Sequence, residues 1–159
     1  MVTGFECYTV GQVFTSGARP VDAAAIKAFA AEFDNQPQHV GEAEAAGSLF
    51  GTLVASGWHT AAITMQLLLD SALGGVRGRG MGVQMDGLTW SLPVHPGDTL
   101  HAVTEVLELR PSRSKPDRGL VVMRTTTMNQ DGRAVQGMVG TVMVLRTDAV
   151  ASRPHAGPA

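Results

Sequence analysis

Between Glu44 and Asp70 the chain carries no charged residue, a neutral run of 25 positions from Ala45 to Leu69. Two structures tolerate such a run: a membrane span, or a helix covered on all sides by the rest of the fold. The side chains decide between them. Gly47, Gly51, Gly57, Ser48, Ser56, Thr52, Thr60, Thr64, His59 and Gln66 fall inside the run, and such polar groups are costly in hydrocarbon. Gly47 and Gly51 form a GxxxG pair, known from membrane helices, but here they read as a loop before a helix. The opening residues lack a basic segment and hold Glu6, so they do not read as a secretory signal. The expectation is a cytoplasmic protein that spans no membrane and wraps its central helix.

Charge points the same way. Only 16% of the 159 residues are charged, against about 25% in an average soluble domain. The deficit fits a buried helix and surface hidden in an assembly. A net charge of −2 gives no strong attraction for nucleic acid. The single cysteine, Cys7, excludes an intrachain disulfide framework and is expected to pack in the interior.

The order of elements follows from periodicity and punctuation. Short strands are expected among Phe5, Tyr8, Val10, Val13 and Phe14. Asp22 reads as the N-cap of a helix over about 22–33, ended by Pro37. Glu42 to Ala46 allow one helical turn. The long apolar helix is expected from Thr52 to about Leu73, stopped by Gly74 and Gly75, with a flexible loop over 74–82. Strands then follow over 83–94, 99–109, 120–129 and 133–146, the last pair joined at Asp131-Gly132. Gly137 and Gly140 predict a bulge or bend in the last strand. Helices first and an antiparallel meander of about four strands after them is an α+β order. An open sheet of this kind leaves an edge that pairing across a dimer removes. The expected layout is one domain over 1–147 and a loose C-terminal tail over 148–159.

Two short stretches carry chemistry. Phe33-Asp34-Asn35-Gln36-Pro37-Gln38-His39 sets a carboxylate and an imidazole five residues apart across a helix-breaking proline. A tight turn brings both into one cleft, where the pair suits proton transfer to water or a carbon acid. The same spacing also fits a solvated Asp and a surface His at a helix end. Ala55-Ser56-Gly57-Trp58-His59 stands near the start of the long helix. Free N–H groups there can polarise a carbonyl and hold enolate charge. Gly57 fits equally well as a packing glycine. His59 reads as a satisfied core or interface histidine, and Trp58 as core or pocket wall.

Taken in order, these stretches resemble the MaoC-like dehydratase family, the (R)-specific enoyl-CoA hydratase branch of the hot-dog fold. Asp34 to His39 is similar to its D-x-N-P-x-H motif, and Leu53 to Trp58 to the opening of its central helix. Leu88-Thr89-Trp90 through Pro93-Val94 and Pro96-Gly97-Asp98 resembles its strand and P-V-x-x-G-D turn. The similarity covers about residues 5–146. It implies an antiparallel sheet wrapped around a long central helix, and reversible hydration of a 2-enoyl thioester to a 3-hydroxyacyl thioester in fatty acid metabolism. It implies that Asp34 and His39 form the catalytic dyad and that the Gly57 N–H meets the thioester oxygen, with Ser56 and Trp58 beside the substrate. Gln36 stands where the motif has asparagine, and Ser56 where the family has histidine.

The resemblance implies a coenzyme A or acyl-carrier-protein thioester as substrate, no separate cofactor, and a homodimer or an assembly of dimers. Arg77 and Arg79, or Arg113 and Lys115, are candidate contacts for the coenzyme A phosphates; a solvated hairpin is the plainer reading of the second pair. No His, Cys and carboxylate group has ligand spacing, so no metal is expected. Two alternatives stay open: a hot-dog acyl-CoA thioesterase, and a non-catalytic acyl-thioester-binding subunit. A thioesterase would use a carboxylate on the central helix, and 45–69 contains none.

Overall fold

The computed structural model describes residues 1–147; the tail expected over 148–159 lies outside the described residues. Asp22 caps the first helix as expected, its side chain accepting from the Ala25 N–H at 2.7 Å. That helix, α1, covers Ala23–Phe33. Two single turns follow, α2 (Pro37–Val40) and α3 (Glu42–Ala45), and then the central helix α4 (Gly57–Asp70). Two short strands, β1 (Val13–Thr15) and β2 (Arg19–Pro20), precede α1. Four long ones follow α4: β3 (Gly80–Trp90), β4 (Thr99–Pro111), β5 (Arg118–Met128) and β6 (Ala134–Leu145).

This is the expected α+β hot-dog arrangement, an antiparallel sheet around a central helix, with corrections to its details. The helix begins at Gly57 rather than Thr52. Residues 53–55 run extended instead, and the Val54 and Ala55 N–H groups donate to the Gln38 and Val94 carbonyls at 3.0 and 2.8 Å. The glycine-rich loop is shorter than expected, because β3 already starts at Gly80. The four long strands are no simple meander. The sheet order is β1-β4-β5-β6-β3, so β3 crosses over to pair with β6. The last strand has its extra residue at Val135, between the Thr127–Gln136 and Met128–Ala134 pairings, rather than at Gly137 or Gly140, and β3 has two more. Val83 is an extra residue between the Gly82 and Gln84 pairings, and a second extra residue lies between Asp86 and Thr89. Gly87 stands in that second bulge at φ +57°, a conformation that favours glycine.

The core is divided. One apolar cluster gathers Ile26, Ile63, Leu67, Leu100, Ala102 and Val135; the other gathers Phe5, Leu73, Val106, Val121, Met123 and Val144. Between them buried polar side chains cross the sheet. Thr104 and Thr125 share a hydrogen bond at 3.0 Å, and Thr64 and Thr127 share one at 2.7 Å. Cys7, expected to pack, is exposed. Strand β3 is exposed along nearly its whole length, Met81, Val83 and Met85 included. No helix among the described residues is long and apolar enough to cross a membrane.

Candidate active site

Asp34 and His39 do converge. Asp34 is the C-cap of α1, its N–H donating to the Ala30 carbonyl at 3.0 Å. A carboxylate at a helix C-terminus is electrostatically disfavoured, so it needs donors. Gln36 Nε2 donates to Oδ1 at 2.7 Å, and Ser56 Oγ donates to Oδ2 at 2.6 Å. These donors, Ser56 foremost, hold the carboxyl below the ordinary aspartate range, against the opposing effect of burial. Gln36 therefore does what an asparagine at this position could do from a shorter stem. Ser56 also caps α4, accepting from the Trp58 N–H at 3.2 Å.

Pro37 opens the turn α2 and carries the chain round to His39, which is buried. The imidazole is fixed from one side by Nδ1, 2.8 Å from the Val54 carbonyl oxygen. A carbonyl only accepts, so Nδ1 carries the proton and Nε2 of the neutral ring is bare. Nε2 lies 3.6 Å from Asp34 Oδ2, with side-chain exposures of 8% and 16%. Two acceptors thus face each other across a gap too long for a direct hydrogen bond. A water donating one O–H to each satisfies both, and keeps its lone pairs free. Protonating the ring satisfies both as well, by an ion pair.

His39 and Gly57 line one cavity of about 320 Å³, together with Val54, Thr60, Trp90 and Pro93. Gly57 is the first residue of α4, and no described group accepts from its N–H. It is a packing glycine too. A Cβ there would stand 2.6 Å from Trp90 Cε2. Trp58 is neither core nor wall of this cavity. It is 60% exposed and meets Trp90 edge to face, ring centroids 5.3 Å apart.

The predicted cations do not join the dyad. Arg77 pairs with Asp70 at 2.8 Å near the C-terminal end of α4, about 20 Å from Gly57 by helix length. Arg79 donates to the carbonyls of Arg146 and Thr147. Arg113 and Lys115 are exposed in the β4–β5 hairpin. That hairpin is nine residues or more along β5 from Thr127, the neighbour of Gln136, about 30 Å away. His59 is buried and stacks on Phe29 at 4.8 Å, but its Nδ1 has no partner among the described residues, so within this chain it is not a satisfied core histidine. Among the described residues no three of His, Cys, Asp and Glu converge as a metal site.

Sequence reasoning missed Trp90 and Gln136 as site residues. Trp90 Nε1 donates to Gln136 Oε1 at 2.9 Å, and Gln136 Nε2 donates to Thr64 Oγ1 at 3.1 Å. A glutamine alternating along a strand reads as solvent-facing, and nothing local marks this one as buried.

Comparison with known proteins agrees with the geometry. Residues 8–129 match the MaoC like domain. The chain is 34% identical over 140 residues to the uncharacterised protein YdeM of Bacillus subtilis, covering 87% of this chain and 94% of that one. It is similar to the crystal structure of a MaoC-like dehydratase from Rhodospirillum rubrum, with 47% identity, TM-score 0.85, and coverage of 96% of this chain and 99% of that one. It is also similar to an (R)-hydratase from A. caviae involved in PHA biosynthesis, with 29% identity, TM-score 0.70, and coverage of 86% and 97%.

Proposed function

The chain belongs to the MaoC-like domain family, and from that premise we propose that it adds water reversibly across the double bond of a 2-enoyl thioester. The observation that carries this reading is the pair of facing acceptors, His39 Nε2 and Asp34 Oδ2, 3.6 Å apart. A water between them gives a hydrogen to each and turns its oxygen lone pair outward. As that oxygen bonds to C3 of the substrate, one proton passes to His39 Nε2. The C2=C3 electron pair moves onto the thioester oxygen as an enolate. The imidazolium then returns its proton to C2 from the same face, and the thioester carbonyl re-forms. Asp34, held ionised by Ser56 and Gln36, stabilises the imidazolium while it lasts. The Gly57 N–H, at the positive end of α4, receives the enolate oxygen.

The (R)-hydratase from A. caviae supports the choice of substrate class. Coenzyme A or an acyl-carrier protein would carry the acyl group. The exposed β3 edge supports pairing of two chains. The thioesterase reading is the weaker one, because α4 offers no carboxylate before Asp70. Incubation with four- and eight-carbon 2-enoyl-CoA decides. Water addition supports the hydratase, free thiol release the thioesterase, and binding without turnover the non-catalytic subunit.

A further inference from the structure

Two cavities lie along α4, and the residues between them share a pattern. The catalytic cavity takes Gly57 and Thr60 from the helix and Trp90 from β3. A second, apolar cavity of about 300 Å³ takes Met65 and Leu68 from the helix, Met85 from β3, Met123 from β5 and Met138 from β6. Thr64 on α4 falls between Thr60 of the first cavity and Met65 of the second, and Gln136 on β6 and Thr127 on β5 hydrogen-bond to it. All three are fully buried.

They form one closed hydrogen-bonded set with Trp90. The indole N–H only donates, so it must meet the Gln136 amide oxygen, as it does at 2.9 Å. That turns the amide N–H toward Thr64 Oγ1 at 3.1 Å. Thr64 gives its own hydrogen to the Thr60 carbonyl at 2.9 Å, and so accepts from Thr127 at 2.7 Å. On α4 the set lies within the first apolar cluster, with Ile63 and Leu67 on either side of Thr64. A set in which each of these polar groups has a partner, three of its four members fully buried, is rigid, because rotating one strands another.

We propose that this belt is the floor of the catalytic cavity and sets the length of acyl chain it takes. Trp90, held by Gln136 and Thr64, stops the chain beside Gly57, and the methionine-lined cavity beyond stays closed to substrate. The enzyme is selective for short 2-enoyl thioesters. Breaking the belt joins the two cavities and admits long chains. This rests on the hydratase reading for its substrate class.

The test compares four- and twelve-carbon 2-enoyl-CoA in the wild type, Gln136→Ala and Trp90→Leu. Binding of butyryl-CoA and lauroyl-CoA is measured by calorimetry on the same proteins. In the wild type, kcat/KM and affinity for the short chain exceed those for the long chain about tenfold or more; in both variants the long-to-short ratio rises by about tenfold. Trp90 is partly exposed, so Trp90→Leu keeps the test alive should Gln136→Ala fail to fold. A wild type blind to chain length overturns the proposal, as do folded variants with an unchanged ratio. If no enoyl thioester is hydrated, the hydratase reading fails, and the ratio of the two affinities still decides the floor.

Discussion

Ser56 Oγ donates to Asp34 Oδ2 at 2.6 Å, joining the start of the central helix to the Asp34 carboxylate across 22 residues of sequence. The same hydroxyl oxygen accepts from the Trp58 N–H and so caps α4. One side chain thereby sets both the charge of the dyad and the position of the Gly57 N–H.

Ser56→Ala removes both contacts. The cap and the charge-assisted bond together are worth about 1–3 kcal/mol at neutral pH. The pH dependence has a definite sign. Asp34 is held below its ordinary pKa in the folded chain, so its contribution is full above the unfolded value and is lost as pH falls through the folded one. Urea unfolding of wild type and variant should differ most near neutrality and converge in acid. A gap that stays constant down to the acid limit contradicts the Asp34 linkage.

Gly57→Ala puts a Cβ 2.6 Å from Trp90 Cε2. The indole must move, at about 1–3 kcal/mol. A lowered Tm and a shifted tryptophan emission are expected, with loss of turnover as the wall of the cavity displaces. An alanine variant with wild-type Tm and emission rules out the close contact.

His59 is pushed below the ordinary histidine pKa, chiefly by burial, with Arg19 adding and Asp22 opposing. Acid therefore protonates the unfolded chain first, and the fold loses stability as pH falls below about 6.5. His59→Phe keeps a ring against Phe29 and removes the proton. Its stability between pH 8 and pH 5 should fall less than that of the wild type. Parallel curves refute the assignment.

Charge reversal of Arg113 and Lys115 tests whether the distant hairpin meets the phosphates of a bound thioester. Contact predicts a KM raised about threefold or more with kcat unchanged, the scale of two exposed charges. An unchanged KM removes the hairpin from the binding surface.

Much of this was legible locally. The Asp22 cap, the helix stop before Pro37 and the Asp131-Gly132 hairpin rest on interactions within a few residues, and the structure has all three. The partners Asp34 and His39 were also visible, being five residues apart on either side of a proline. What stayed hidden was long-range. The pairing of β3 with β6 skips two strands, and no local pattern encodes such a crossover. The glycines at 80 and 82 disguised the start of β3 as a loop. Ser56 looked like part of the acyl pocket because its bond to Asp34 is set by how α1 meets α4. Gln136 and Trp90 meet only once the sheet has closed.

The central claim is that His39, with Asp34 beside it, moves the proton of an adding water. The most direct measurement is the loss of conjugated enoyl-thioester ultraviolet absorbance with 2-enoyl-CoA, for wild type, His39→Ala and Asp34→Asn, each checked for native circular dichroism. Wild type should consume the absorbance, with each variant slower by about a hundredfold or more. Folded variants that turn over at the wild-type rate would contradict the account.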